Sequence, residues 1–218
     1  MEAQFPNGGW PQCYPLEGSY HDGITLNDDA MLHVLEILQL AASGDKGWAW
    51  LDAARKAKAA AALARGVQAL LALQVKLEGK LTVWSAQYDP LSMQPVSARG
   101  YELASLSGGE SVSALRFLFT LRPVTPEITA AIDAGMAWFA AHEIPGNAGG
   151  WARFYDLHTQ QPFFPGKRDG KAWTSEEAMR KVNPGGYDFA AKKPRDLPKW
   201  HKKWLQGLAK EQKGKSSR

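Results

Sequence analysis

Apolar positions recur at helical spacing in four stretches of the chain. Between Leu26 and Ala42, Met31, Leu32, Leu35 and Leu38 fall three or four apart, behind the acids Asp28 and Asp29 and before a Ser43-Gly44 stop, which predicts a helix. The alanine-rich stretch from Leu51 to Val75 carries Leu63, Val67, Leu70, Leu71 and Leu73, and predicts a second. A third spans Ser111 to Leu121 and is stopped by Pro123. Thr125-Pro126-Glu127 opens a fourth, running to about His142, with a capping threonine and proline in the first turn. Strand signals are few and short, as at Leu81 to Trp84.

The pattern also repeats. Three times the chain runs through a glycine-containing loop to a tryptophan: Phe5-Pro6-Asn7-Gly8-Gly9-Trp10, then Leu77-Glu78-Gly79-Lys80-Leu81-Thr82-Val83-Trp84, then Pro145-Gly146-Asn147-Ala148-Gly149-Gly150-Trp151. Two predicted helices lie between successive tryptophans. This is a helical-hairpin repeat, in which no hairpin buries its apolar face alone and each stacks on its neighbours. The helix-to-loop turns then gather on one face and build a cleft. The first copy begins in mid-motif, with Glu2-Ala3-Gln4 resembling a helix end, so one further hairpin is expected upstream.

At 218 residues, 44 % hydrophobic and 22 % charged, the composition excludes a wholly disordered chain. No apolar run reaches the roughly 18 residues a membrane span needs, and the first residues do not read as a signal peptide. A single cysteine, Cys13, excludes an internal disulfide framework and a thiolate zinc site. The net charge of +4 is uneven: from Lys192 to Arg218 stand ten Lys or Arg against two acids. We expect one domain over residues 1–200 and a basic helical or disordered tail over 201–218. That tail lacks any nucleic-acid motif or repeated stacking positions, so neither nucleic acid nor membrane is an expected partner.

Candidate chemistry is scattered. There is no His-Glu-x-x-His, Gly-x-Ser-x-Gly or phosphate-binding glycine loop. Asn27-Asp28-Asp29 reads either as a helix cap or, with His21-Asp22 just before it and Asp89 in the equivalent loop of the next copy, as oxygen donors suited to a hard cation such as calcium. Arg99 stands in a loop of small residues with Glu102 as an available partner. Arg153 and Arg168 lie among Trp151, Phe154, Tyr155, Phe163 and Phe164. Planar guanidinium groups beside aromatic faces suit a sugar polymer bearing carboxylates, and structural Arg–Asp pairs are the plainer alternative.

These residues carry a resemblance. Phe5-Pro6-Asn7-Gly8-Gly9-Trp10-Pro11-Gln12, Tyr20-His21-Asp22, Ile24-Thr25-Leu26-Asn27-Asp28-Asp29-Ala30-Met31, Gln87-Tyr88-Asp89-Pro90, Ala98-Arg99-Gly100-Tyr101-Glu102, Trp151-Ala152-Arg153-Phe154-Tyr155-Asp156-Leu157 and Gly166-Lys167-Arg168-Asp169-Gly170 are similar, in collinear order, to the family 10 pectate lyases. The resemblance implies an all-α (α/α) toroid of helical hairpins, here incomplete, with long loops forming a cleft. It implies calcium-assisted anti-β-elimination of polygalacturonate, giving 4,5-unsaturated oligogalacturonides, and a secreted protein. It assigns the base to Arg99, a calcium ligand to Asp28, and substrate binding to Arg153, Arg168 and Trp10, with Lys167 competing for the place of Arg168. Arg65 is a weaker match to a remaining basic position. A guanidinium base needs cations nearby to disfavour its charge, so an alkaline optimum is expected.

A second calcium-binding aspartate of the family falls on the hairpin upstream of Phe5. The expectation is therefore a lyase lacking its N-terminal helical pair, weakened by that loss, with an apolar seam open to self-association. Two alternatives stand beside it. One is an (α/α) toroid glycoside hydrolase using Asp28 or Asp29 with Asp89 as paired carboxylates. The other is a non-catalytic binder of acidic polysaccharide.

Overall fold

The computed structural model describes residues 1–144, 150–184, 190–191 and 193–216. The four predicted helices are present: α1 (Ala30–Ser43), α2 (Ala53–Ala72), α3 (Glu110–Thr120) and α4 (Pro126–Ala141). Thr125 caps α4 as expected, its Oγ1 accepting from the Ile128 N–H at 3.3 Å with Pro126 in the first turn. Asp52 does the same for α2, accepting from the Arg55 N–H at 2.7 Å. Helix α1 starts four residues later than its pattern suggests, because Asn27–Asp29 forms a short 3-10 turn in which Asp28 and Asp29 take left-handed backbone.

A short α5 (Glu176–Val182) and a long α6 (Leu197–Ser216) follow. The basic tail is thus a helix that starts inside the domain. Leu197 and Trp204 are 1 % and 5 % exposed, and Trp200 and Leu208 pack against the same core. Those four fall on one helical face, so α6 is docked on α3 rather than solvated all round. No helix among the described residues is long and apolar enough to cross a membrane.

The all-α expectation needs correction. About half the chain is helical, and among the described residues ten short strands form four small sheets. β1 (Ile24–Thr25) pairs with β4 (Gln87–Tyr88), β2 (Lys76–Leu77) with β3 (Lys80–Leu81), and β6 (Trp151–Ala152) with β10 (Ala190–Ala191). A four-stranded sheet runs β5 (Leu106–Ser107), β7 (Phe154–Tyr155), β8 (Pro162–Pro165), β9 (Ala172–Trp173). All these pairs are antiparallel, and most strands are two residues long. A period of two cannot be read from two residues, which is why the sequence pattern reveals so little of them.

The repeat is structural as well. The indole Nε1 of Trp84 donates to the Leu70 carbonyl at the end of α2 (2.7 Å), and that of Trp151 donates to the Phe139 carbonyl at the end of α4 (2.8 Å). Four residues on, Tyr88 and Tyr155 turn back, their hydroxyls accepting from the Ser85 N–H (2.5 Å) and the Ala152 N–H (2.9 Å). Burial pushes both phenols up, Tyr155 to about 12. Next, Asp89 and Asp156 each tie a turn: Oδ1 of Asp89 accepts from two backbone N–H groups and the Ser92 hydroxyl, and Oδ1 of Asp156 from two N–H groups and the Thr159 hydroxyl. The second and third copies are therefore each a helix end locked to a tryptophan and followed by a strand, a carboxylate turn and a returning segment. Residues 145–149 of the third motif lie outside the described residues.

Candidate functional site

The repeat fixes where Asp28 and Arg99 emerge. Ile24 pairs with Tyr88 and Thr25 with Gln87, both antiparallel. Tyr88 also bridges antiparallel to Pro95, and the Val96 N–H donates to the Gln87 carbonyl at 3.0 Å. Residues 24–25 and 95–96 thus run parallel on either side of β4, with Thr25, Gln87 and Val96 on one rung. Asp28 follows Thr25 by the same three residues that separate Arg99 from Val96, so both leave the sheet at the same end, from strands about 10 Å apart, two strand widths.

Asp28 and Asp29 both adopt left-handed backbone, with φ of 53° and 59°, a conformation that aspartate tolerates better than most residues. Neither side chain acts as the expected cap: the short helix at Asn27–Asp29 and α1 both start without a side-chain cap hydrogen bond. Asp28 is exposed while Asn27 beneath it is buried. The turn spends a strained backbone to present a carboxylate to solvent without using it locally.

Arg99 is held by three groups. Its Nε donates to the Tyr20 hydroxyl at 3.4 Å, its Nη1 to the Tyr101 hydroxyl at 3.2 Å, and Nη1 lies 3.7 Å from Oε1 of the buried Glu102. Tyr20 is itself fixed to the sheet through its carbonyl, which accepts from the Gln87 amide. Foremost the Tyr20 contact, then Tyr101 and the Glu102 charge, raise the Arg99 pKa above its ordinary value. The expected pairing with Glu102 is present. The cation crowding that would favour a neutral guanidinium is not what surrounds Arg99 among these partners, which stabilise its charge.

Arg153 stands 3.2 Å from Oε1 of Glu110, with its guanidinium over the Phe154 ring. Glu110, 8 % exposed, also accepts from the Ser107 hydroxyl. Gly108 makes this approach possible: its N–H donates to the Arg153 carbonyl at 3.0 Å, and an added Cβ would sit 2.1 Å from the Ala152 carbonyl oxygen. Asn27, Ala98, Glu102 and Arg153 line one small crevice. The neighbours of Asp28, those of Arg99, and Arg153 itself are thus gathered in one place.

The loop carrying Arg168 closes the same region. Gly170, with φ of 63°, abuts the Gly100 carbonyl, and Lys167 Nζ lies 5.6 Å from the centre of the Tyr101 ring. Arg168 is anchored by its backbone, its N–H donating to Asn183 Oδ1 at 2.8 Å, and its side chain is exposed. Lys167 rather than Arg168 makes the contact with the Arg99 loop.

Two sequence-named residues fall elsewhere. Trp10, expected at the sugar, is 3 % exposed and belongs to the core, wedged against Gly66 of α2 and Leu35 of α1; a buried indole has no face to offer a sugar ring. Arg65 donates to Gln4 Oε1 on the outer side of α2 and joins none of these groups. Asp22, considered beside Asp28, is spent on a loop: the Glu17 N–H and, after it, the Gly18 N–H hold its carboxyl below the usual range. Tyr20, Tyr101, Ser107 and Glu110 are site residues that the sequence did not single out. Only Tyr101 and Glu110 had a local signal, their closeness to Arg99 and to the Gly108-Gly109 turn.

Oxygen donors without thiolates suit a hard cation, and an exposed, locally unused carboxylate at Asp28 fits that chemistry. Among the described residues no group of three or more His, Cys, Asp or Glu side chains could hold a metal ion, so an ion here would need oxygens from a substrate as well.

No curated protein matches the chain. In solved structures, the chain resembles the family 10 polysaccharide lyase from Cellvibrio cellulosa, with 34 % sequence identity over 93 % of this chain and 68 % of that one, at a TM-score of 0.83. An aspartate-to-alanine mutant of that lyase in complex with trigalacturonic acid matches equally, covering 69 % of its chain. A family profile described as pectic acid lyase matches residues 1–197. With a match across nearly its whole length, the chain belongs to the pectic acid lyase family.

Proposed function

We propose that this pectic acid lyase cuts de-esterified polygalacturonate by anti-β-elimination at the Asp28–Arg99–Arg153 cluster. The observation that carries the reading is the shared register of Asp28 and Arg99 at one sheet end, with Arg153 on the same crevice. Arg153, oriented by Glu110, and Arg168 or Lys167 from the facing loop bind uronate carboxylates, where a planar guanidinium fork fits best. Arg99 takes the C5 proton, which is acidic because it lies α to a carboxylate; the C4–O bond then breaks and leaves an unsaturated end. For that, substrate must displace the Tyr20 and Tyr101 hydroxyls and free the guanidinium from the groups that hold its proton. Asp28 would hold calcium jointly with the substrate carboxylate. Calcium, when bound, neutralises that carboxylate and stabilises the charge that develops on proton removal. The stacked hairpin ends support an (α/α) toroid despite the interposed sheets, and family membership favours an extracellular place of action.

The hydrolase reading loses support from Asp89, whose carboxylate is engaged by Leu91 and Ser92 and held below its usual range chiefly by the Ser92 N–H. The outer face of α2 and the α3–α4 turn form an apolar groove through Leu63, Val67, Leu71, Leu121 and Ile128, which supports association through that face. Incubation of the full chain with polygalacturonate and calcium, followed by ultraviolet absorbance of 4,5-unsaturated ends, tests the reaction. Unsaturated products that vanish with chelator and with Arg99→Ala support it; saturated products overturn it.

A further inference from the structure

We infer that the groove between α3 and α6 is a second, non-catalytic binding site for a uronate-bearing polysaccharide. Four of its wall residues, Trp200, Lys203, Trp204 and Gly207, lie beyond residues 1–197, the part matched by the family profile. The groove has a volume of about 510 Å³ and none of its walls is shared with the Asp28–Arg99–Arg153 cluster.

Its chemistry is that of a carboxylate-bearing sugar chain. Arg116 is exposed and lies over the Trp200 ring, 4.9 Å from its centre. A guanidinium resting on an aromatic face keeps its edge N–H groups available, and the stacking pre-orders a side chain that is otherwise floppy. Arg116 makes no hydrogen bond or ion pair with another described residue, nor does Lys203 at the opposite wall. Arg122, the third cation, is engaged by Glu211 at 2.8 Å. Glu36 is the carboxylate within the walls, so the balance is positive. Phe119, His201 and Trp204 form a three-ring cluster at the groove, each ring centre 5.6–6.0 Å from the other two.

Beneath the cations lie two buried polar atoms without a protein partner among the described residues. Trp204 is 5 % exposed, yet its Nε1–H has no hydrogen-bond partner among the described residues, and neither has Nε2 of His201 next to it. Buried donors are nearly always satisfied, and an unmet one is costly. Carboxylate oxygens along such a sugar chain supply acceptors for the exposed Arg116 and Lys203 donors at the groove walls. A groove whose walls carry more cations than carboxylates therefore fits an acidic sugar polymer better than a neutral one. The identity of the anion rests on the pectate reading given above.

The test is affinity electrophoresis of the full chain in gels containing polygalacturonate, neutral dextran or double-stranded DNA. All proteins carry Arg99→Ala, so that the polymer survives. The groove variants add Arg116→Ala with Lys203→Ala or, separately, Lys203→Glu, all at exposed positions. Each is expected to weaken polygalacturonate retention by about three- to tenfold, as loss of one or two cation contacts predicts, with dextran migration unchanged. With Arg99 restored, the same groove variants are expected to turn over trigalacturonate at the parent rate and to lose efficiency on the polymer alone. Equal retention of parent and groove variants overturns the inference, and so does a loss confined to DNA. Failure to form unsaturated ends would instead strike the elimination reading and leave the retention comparison intact.

Discussion

The Tyr20 hydroxyl accepts from Arg99 Nε at 3.4 Å across 79 positions of sequence. With Tyr101 and Glu102 it makes the free protein a place where Arg99 keeps its proton. An enzyme that needs this arginine neutral therefore works against its own resting contacts. On the proposed mechanism the substrate relieves the conflict, by competing for the same donors.

The sign of the pH dependence follows. The Arg99 pKa is raised, so the neutral form is scarcer at every working pH than it would be for a free arginine. Activity as kcat/KM should climb about tenfold per pH unit on the alkaline side, without reaching a plateau. Tyr20→Phe removes the largest cause of the raised value and should move the whole profile to lower pH. A plateau near neutrality that Tyr20→Phe does not shift would remove Arg99 from the base role.

Asp28→Asn keeps the left-handed backbone accessible, since asparagine tolerates it as well as aspartate does, and takes away the charge. The calcium concentration for half-maximal activity should rise by an order of magnitude, roughly the effect of removing one charged ligand from a hard-cation site, with the melting temperature unchanged. Calcium titration of both proteins measures it, and superimposable curves would show that Asp28 does not bind the ion.

Glu110 orients Arg153 from a buried position while Ser107 donates to the same carboxylate. Glu110→Gln leaves the shape and removes the charge that fixes the guanidinium. A charge-assisted contact of this kind contributes about 1–3 kcal/mol, which should appear as a KM raised by about tenfold with kcat nearly constant. Equal loss in kcat and kcat/KM would mean that Glu110 acts in the transition state instead.

Local physics made the helices legible. Thr125 and Asp52 cap helices through contacts within three residues, and such contacts leave a signature in the sequence. The strands were not legible because Thr25, Gln87 and Val96 meet on one rung only through distant pairing. Arg99, Arg153 and Asp28 stand in motifs that the sequence shows. The approach of Tyr20 to Arg99 leaves no local signature, since it depends on Gln87 holding the Tyr20 carbonyl. The docking of α6 was legible in principle, for Leu197, Trp200, Trp204 and Leu208 recur at helical spacing, but lysines between them suggested a solvated tail. Trp10 misled for a related reason: an aromatic beside a glycine turn looks the same whether it faces a sugar or a helix.

That last ambiguity yields a stability prediction. Gly66 lies in the middle of α2, where glycine weakens a helix by about 1 kcal/mol relative to alanine. On propensity alone Gly66→Ala should stabilise. The added Cβ, however, would sit 2.5 Å from Leu35 Cδ2 and 2.6 Å from Trp10 Cζ3. Both neighbours are fully enclosed, at 0 % and 3 % exposure, so neither can move aside without displacing the α1–α2 packing. Overpacking of a tight core costs about 1–3 kcal/mol and outweighs the propensity gain. Thermal unfolding of Gly66→Ala should therefore show a lower melting temperature than the parent. The double variant Gly66→Ala with Trp10→Phe, which shortens the obstructing ring system, should recover part of the loss relative to Trp10→Phe alone. A Gly66→Ala protein more stable than the parent would mean that Trp10 is not wedged there and is free to turn toward the cleft.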